Sequence, residues 1–312
     1  MNTSAVHHPG ISRIKLFLAL SRTPHGVLDI AAPLLAALLW LGHMPPAHTV
    51  ITGIIAAFAG YTAVYALNDI VDYKSDKEKM LQGGGQQEGA YLDAAFVRHP
   101  LAQGMLSMPE AVAWAGGWGL VSLISAYRLN PVCAYILVAG CLLETAYCLL
   151  LRVSSFRTLI SGVVKTLGGL AAVFAVDSSP DPAFLGLLFL WLFFWEIGGQ
   201  NVPADWHDIE EDRVLAAKTI PVFYGSRGGS IIVLTTLAAS VLFSGLFLWN
   251  APLALPFPLF SAALAAGFFL LLLPALRLFK TRKRDHASAL FNHASYYPVS
   301  LLAIAAIALL TA

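Results

Sequence analysis

Apolar residues in this chain run in long blocks, without the three-to-four-residue rhythm of a helix that has one wet face. A helix needs about 20 predominantly apolar residues to cross a bilayer. Nine blocks reach that length, at roughly 25–43, 49–70, 109–127, 131–151, 158–176, 183–203, 229–249, 254–276 and 289–311. Pro and Gly punctuate the joints between them, as at Pro45-Pro46, Asn130-Pro131, Ser179-Pro180 and Asn250-Ala251-Pro252. The pattern predicts an all-α, polytopic membrane bundle. Composition agrees: 58% of the 312 residues are hydrophobic and only 12% charged, about half the charged share of a soluble domain.

The polar connections set the orientation. Of the 19 Lys and Arg, all but Arg128 and Lys165 fall in alternate connections, and Lys165 falls inside a span. The positive-inside rule makes the basic side cytoplasmic, with the N-terminus in and the C-terminus out. The polar, basic stretch before the first span has no small-residue cleavage site, so a removable signal peptide is not expected. The net charge of +1 says nothing about nucleic acid, but no basic block with interleaved aromatics appears, and nucleic acid is not expected as a partner. Cys133, Cys141 and Cys148 sit in apolar sequence with no ligand-pair spacing and read as small buried hydrophobes.

Two polar stretches break the apolar pattern in the same way. One carries Asn68, Asp69, Asp72 and Asp76, the other Asp205, Asp208 and Asp212. Both contain D-x-x-D-x-x-x-D, both border a span, and both fall on the basic side. Carboxylates are costly near a bilayer, so two matched sets call for a chemical reason. Residues at i, i+3 and i+7 share a helix face, so each stretch is expected to present a column of oxygen ligands. Oxygen donors without sulfur suit magnesium or calcium, and magnesium is readily shared between carboxylates and phosphates. Two opposed columns could hold such ions with a diphosphate between them. Arg98, Arg152, Arg157, Lys218 and Arg227 are available for phosphate oxygens.

In these residues the chain resembles the UbiA superfamily of intramembrane prenyltransferases. Asn68-Asp69-x-x-Asp72-x-x-x-Asp76 is similar to its first signature. Asp205-x-x-Asp208-x-x-x-Asp212, followed by Lys218-Thr219-Ile220-Pro221-Val222 and Gly225, is similar to the second. Arg98-His99-Pro100-Leu101-Ala102-Gln103-Gly104 resembles the R-P-L-x-S-G turn between them, and Tyr147 with Arg152 resembles a tyrosine-plus-basic segment. The resemblance covers almost the whole chain. It implies a single domain over 1–312, built as nine helices around a central cavity. It also implies transfer of a polyprenyl group from its diphosphate to a lipophilic or aromatic acceptor, such as a quinone precursor, with Mg2+ on the two motifs.

On that resemblance Asn68, Asp72 and Asp76 would bind metal from one side and Asp205, Asp208 and Asp212 from the other. Asp69 would serve as ligand or support. Arg152 and Lys218 would contact diphosphate, with Arg98 in the turn, and Tyr147 would face the allylic cation. Asp72, Asp208 and Tyr147 are the expected catalytic residues. The chain departs from the family at His99, at Leu151 where lysine is common, and over about 80–95. There Gly83-Gly84-Gly85-Gln86-Gln87 reads as a flexible insert.

Phe193, Phe194, Trp195 and Trp206 are candidate walls against water. Asp29, Glu144, Lys165 and Glu196 are charges inside spans, functional or paired by default. Glu144 and Lys165 could pair. Glu196, nine residues before Asp205, is expected to point into the bundle with it, where it could bind acceptor or complete a polar network. Two other readings stay open on the residues: a phosphoribosyl transferase or terpene cyclase of the same architecture, and a cation-coupled transporter. Against the transporter, the acids gather at one membrane face, whereas transport sites lie near the midplane.

Overall fold

A computed structural model describes residues 11–81, 92 and 96–311. Most of the insert expected over about 80–95 lies outside them. Every regular element among the described residues is helical. In order these are α1 (Arg13–Leu20), α2 (Thr23–Asp29), α3 (Ala31–Leu41), α4 (Ala47–Val71), α5 (Tyr73–Leu81), α6 (Met108–Leu129), α7 (Pro131–Leu149), α8 (Arg157–Val176) and α9 (Pro182–Trp195). A π-helical segment, Glu196–Asn201, then leads into α10 (Val202–His207), α11 (Ile209–Val214), α12 (Ile220–Phe223) and α13 (Gly225–Trp249). The chain closes with α14 (Phe257–Gly267), a second π segment (Phe268–Leu272), α15 (Leu273–Thr281) and α16 (Arg284–Thr311).

Eight continuous stretches among the described residues are long and apolar enough to cross a membrane. The ninth expected span is α6, a helix of 22 residues opened by a Ser107–Glu110 capping box. Its Gly116, Gly117 and Gly119 dilute its apolarity without stopping it from packing along α4. Large apolar side chains such as Tyr135, Leu142, Trp249 and Leu310 are exposed on the outside of the bundle. In water such a surface would aggregate, whereas in a bilayer it is the lipid-facing side.

The core lies among α9, α13 and α16, where Trp191, Trp195, Phe247 and Tyr297 are fully buried. Trp191 meets Phe247 with ring centroids 5.4 Å apart, and the Tyr297 hydroxyl is 2.7 Å from Ser244 Oγ. Burial of these rings supplies the dense packing that polar side chains in the bundle's middle cannot.

The π segment decides where polar groups point. On an unbroken α-helix, nine residues make about two and a half turns, so Glu196 and Asp205 would face opposite ways. The wider π turn shifts the phase, and both residues line the same cavity. The expectation that they share a side holds because of the bulge and not because of their spacing.

Two glycines make room for it. A Cβ on Gly198 would stand 2.3 Å from Thr236 Oγ1, 2.8 Å from Leu237 Cγ and 3.0 Å from the Val233 carbonyl oxygen. One on Gly199 would stand 2.9 Å from the Ala294 Cβ. Gly198→Ala is therefore expected to destabilise the protein by about 1–3 kcal/mol through overpacking. Thermal unfolding in detergent should show a lower Tm for it, and no loss for Gly186→Ala, where nothing lies within 4 Å.

Candidate active site

Each acidic motif is bent about its middle aspartate. Asn68 and Asp69 end α4, Asp72 is the joint (φ −81°, ψ 0°), and Asp76 rides on α5. Asp205 lies on α10, Asp208 is the joint (φ −102°, ψ 8°), and Asp212 rides on α11. The expected straight column becomes, in both copies, a helix end and a helix start that present carboxylates around a corner. All seven residues line one cavity of about 200 Å³, larger than the ~150 Å³ that accepts a benzene ring.

Cationic side chains from other elements stand between the two sets. Lys79 Nζ is 3.0 Å from Asp212 Oδ1 and 3.8 Å from Asp208 Oδ2. Arg98 pairs with Asp208 and reaches Glu211 Oε2 at 3.5 Å. His99 Nδ1 lies 2.9 Å from Asp76 Oδ2 and 3.6 Å from Asp69 Oδ1. Arg22 donates to Asn68 Oδ1 at 3.0 Å and Asp69 Oδ1 at 3.3 Å. Arg157 Nη1 is 3.6 Å from Asp205 Oδ1, and its guanidinium lies 3.8 Å from the Tyr147 ring centre. Arg22 and His99 hold left-handed backbones, φ 45° and 49°, a strain characteristic of functional sites.

These pairings set the charges at the mouth of the bundle. Burial alone would push Asp208 up, but Arg98 and Lys79 beside it hold its carboxyl at about 2. Burial also works against ionised Asp76, and the His99 charge and hydrogen bond outweigh it, leaving Asp76 below the usual carboxylate range. For Asp72 the balance tips the other way: burial and the neighbouring Asp76 charge push it up, and Arg157, Cys148 and Lys79 offset them only in part. For His99, burial favours the neutral ring, yet Asp76 and Asp69 raise it to about 9.

The donor set fits a hard divalent cation. It is carboxylate-rich, and the Asp205 Oδ2 atom is buried without a hydrogen-bond partner. Asp69, Asp76 and His99 also place one ligand atom each within 4.8 Å of one another.

Deeper in the cavity the other predicted residues meet. Tyr147 and Glu196 line it, and Asn201 donates to the Tyr147 hydroxyl at 2.8 Å. Lys165 does not pair with Glu144. It donates to Asp29 Oδ2 at 2.7 Å, while Glu144 accepts from Asn68 at 2.7 Å. Arg152 and Lys218 stand outside the cavity: Arg152 pairs with Glu78 on the surface, and Lys218 is exposed, its backbone N–H bonded to the Leu151 carbonyl. The cavity's lysines and arginines are Arg22, Lys79, Arg98, Arg157 and Lys165.

Sequence reading missed Arg22 and Lys79 as site groups, although Lys79 follows Asp76 by three residues and so shares its helix face. Phe193, Phe194, Trp195 and Trp206 do not line this cavity. Its aromatic walls are Tyr61, Tyr65, Tyr147 and Phe291. Cys148 is buried as expected but touches the site, with Sγ 3.3 Å from Asn68 Nδ2.

The sequence pattern of the UbiA prenyltransferase family matches residues 30–309. A 4-hydroxybenzoate octaprenyltransferase of Ralstonia nicotianae is 27% identical, with 98% of each chain covered. A digeranylgeranylglyceryl phosphate synthase of Thermococcus sibiricus is 26% identical over 73% of this chain and 77% of its own. Among solved structures, a UbiA homologue from Aeropyrum pernix shares the fold with a TM-score of 0.70 at 17% identity, covering 92% of this chain and 97% of that one. One from Archaeoglobus fulgidus, bound to DMAPP and Mg2+, has a TM-score of 0.65 at 14% identity, covering 93% and 99%. With the matched pattern spanning most of its length, the chain belongs to the UbiA prenyltransferase family and is an integral, multi-pass membrane enzyme that transfers prenyl groups.

Proposed function

We propose that this protein moves a polyprenyl group from its diphosphate to an aromatic, quinone-precursor-like acceptor in a magnesium-dependent reaction, at a site open to the cytoplasm. One observation carries the reading. The polar cavity between the two carboxylate sets adjoins an apolar cavity of about 460 Å³, and the two share Tyr61, Val64 and Val164 as walls. A charged head and a long greasy tail each have a place, in contact at the point where they would be joined. The aromatic acceptor rests on the hydroxybenzoate-using relative matched end to end.

Asn68, Asp69, Asp72 and Asp76 on one side, and Asp205, Asp208 and Asp212 on the other, would hold the metal. Bound there, magnesium supplies positive charge to the diphosphate oxygens. Arg22, Arg98 and Arg157 exchange carboxylate partners for phosphate oxygens and orient the head group. The allylic C–O bond breaks, diphosphate leaves with the electron pair, and positive charge develops on the allylic carbon. The Tyr147 ring, which already stacks on a guanidinium, stabilises that charge. The apolar walls Val64, Val164 and Leu151 keep water from it. An electron-rich ring carbon of the acceptor then bonds to the allylic carbon, and the proton it loses passes to the released diphosphate.

Asp72→Ala and Asp208→Ala should each lower turnover by at least about a hundredfold while the protein still elutes as a folded species. Chelation should abolish activity and magnesium restore it. Mass spectrometry of lipids formed from several prenyl diphosphates, offered with hydroxybenzoates or glyceryl phosphate, reads the product. Metal flux into proteoliposomes with no prenylated product would overturn the reading.

Arg152→Ala is expected to stay within about twofold of wild type and Arg157→Ala to fall far below it, since Arg157 alone of the two reaches the cavity; a kcat/KM comparison checks this.

His99 makes metal-free stability pH-dependent. Its folded value of about 9 lies above the ordinary 6.5, so its contribution is complete below pH 6.5 and is lost as pH rises through 9. The Tm of chelated protein should fall across that window, and His99→Gln should flatten the slope.

A further inference from the structure

Below the carboxylate mouth, four helical elements bring a second polar cluster into the apolar middle of the bundle. Asp29 is on α2, seven residues past Arg22. Tyr65 is on α4, seven before Asp72. Lys165 is on α8, eight past Arg157, and Glu196 is in the π segment, nine before Asp205. At 1.5 Å per residue these offsets place the cluster about 10–14 Å below the mouth.

The contacts inside it are unequal. Asp29 Oδ2 accepts from the Tyr65 hydroxyl at 2.6 Å and from Lys165 Nζ at 2.7 Å. His25 Nε2 is 3.6 Å from Asp29 Oδ1. Glu196 Oε1 accepts from Ser161 at 2.7 Å. Glu196 Oε2 makes no hydrogen bond, although the residue is 92% buried (8% exposed) and lines the cavity. Lys165 approaches Oε2 only to 3.9 Å, beyond hydrogen-bond reach.

A buried carboxylate oxygen left without a donor costs about 1–3 kcal/mol or more, and it is the kind of atom that a ligand completes. The ligand's chemistry follows from what surrounds it. Asp29 and Glu196 supply two carboxylates beside the ammonium of Lys165 and the His25 ring, so the cluster disfavours a further anion, and Glu196 Oε2 is short of a donor. A hydroxyl meets that need and a carboxylate does not. Aromatic groups stand beside the cluster: His25 and Tyr65 have ring centroids 5.8 Å apart, and His25 meets Phe291 edge-on at 5.0 Å.

We propose that Glu196 Oε2 accepts a hydrogen bond from the hydroxyl of an aromatic acceptor, which lies hydroxyl-inward with the ring carbon beside that hydroxyl turned toward the allylic carbon. This rests on the prenyl-transfer reading and adds the acceptor's orientation and the group that recognises it. The prenyl tail leaves sideways past Tyr61, Val64 and Val164, so acceptor and tail do not compete for space. Glu196 is here a positioning residue for a neutral hydroxyl.

The test is direct binding to the full-length protein in detergent, with 4-hydroxybenzoate and its O-methyl ether, 4-methoxybenzoate, as probes. The two share charge and ring and differ in the donor. Wild type is expected to bind the hydroxy compound about ten- to a hundredfold more tightly, the value of one hydrogen bond to a charged group. Glu196→Ala should bring the ratio near one. Glu196→Gln, which keeps the shape and a weaker acceptor, should leave a reduced preference and guards against misfolding of the alanine variant. Asp208→Asn should keep the full preference. Equal binding of the two probes by wild type, or an undiminished preference in Glu196→Ala, overturns the assignment. Failure of wild type to form any prenylated product from the prenyl diphosphates instead overturns the prenyl-transfer reading, whatever the binding ratio.

Discussion

Everything at the mouth of this bundle depends on burying carboxylates beside a membrane without leaving their charge unanswered. Ionised groups removed from water lose several kcal/mol of solvation each, and only well-placed partners recover it. Here the partners come from distant sequence. Arg22 reaches the first motif from α2's leading edge, Lys79 crosses from α5 to the second, and Arg98 and His99 from one loop serve both motifs. The two motifs are thus tied together through Lys79, which α5 carries to the second motif, and through the adjacent Arg98 and His99. This arrangement also favours ionised Asp208 and Asp76, and an ionised oxygen is what a divalent cation requires. The same cations suit phosphate, so a bound diphosphate would exchange one anion for another around fixed positive charge.

The architecture was legible because membrane-crossing length is written in composition. Eight spans stand where apolar blocks lie, and α6, lightened by its glycines and edged by Glu110, is a helix all the same. The acidic motifs were legible because paired spacing in polar stretches beside spans has few other causes. Their shape was not. Nothing local to Asp72 or Asp208 announces a joint, since a helix break there depends on how α5 and α11 dock. Partner choice was hidden for a similar reason. Arg152 and Arg157 differ by a turn and a half of chain, yet one faces outward to Glu78 and the other stacks on Tyr147. Lys165 had two carboxylates within plausible reach besides Asp29, and only helix packing decides among them.

Depth organises the cavity's chemistry. Permanent cations and carboxylates crowd the mouth, a tyrosine braced by Asn201 sits below, and Glu196 with the Asp29–Lys165 pair closes the polar part. The apolar branch begins at Tyr61, beside that polar floor. A substrate with a charged head and a greasy tail is sorted by this gradient alone, before any single contact is counted.

The π segment before Asp205 has an evolutionary consequence. Most positions on a membrane helix tolerate exchange among apolar residues. The six residues from Glu196 to Asn201 instead encode a rotational offset, and that information is carried by how many residues there are. Removing one would turn everything downstream by about 100°, swinging Asp205 toward the lipid-packed side while leaving every side chain's identity intact. The second motif is therefore protected less by the letters around it than by their number. Homologues that lack the bulge would need a different residue to occupy the place of Glu196.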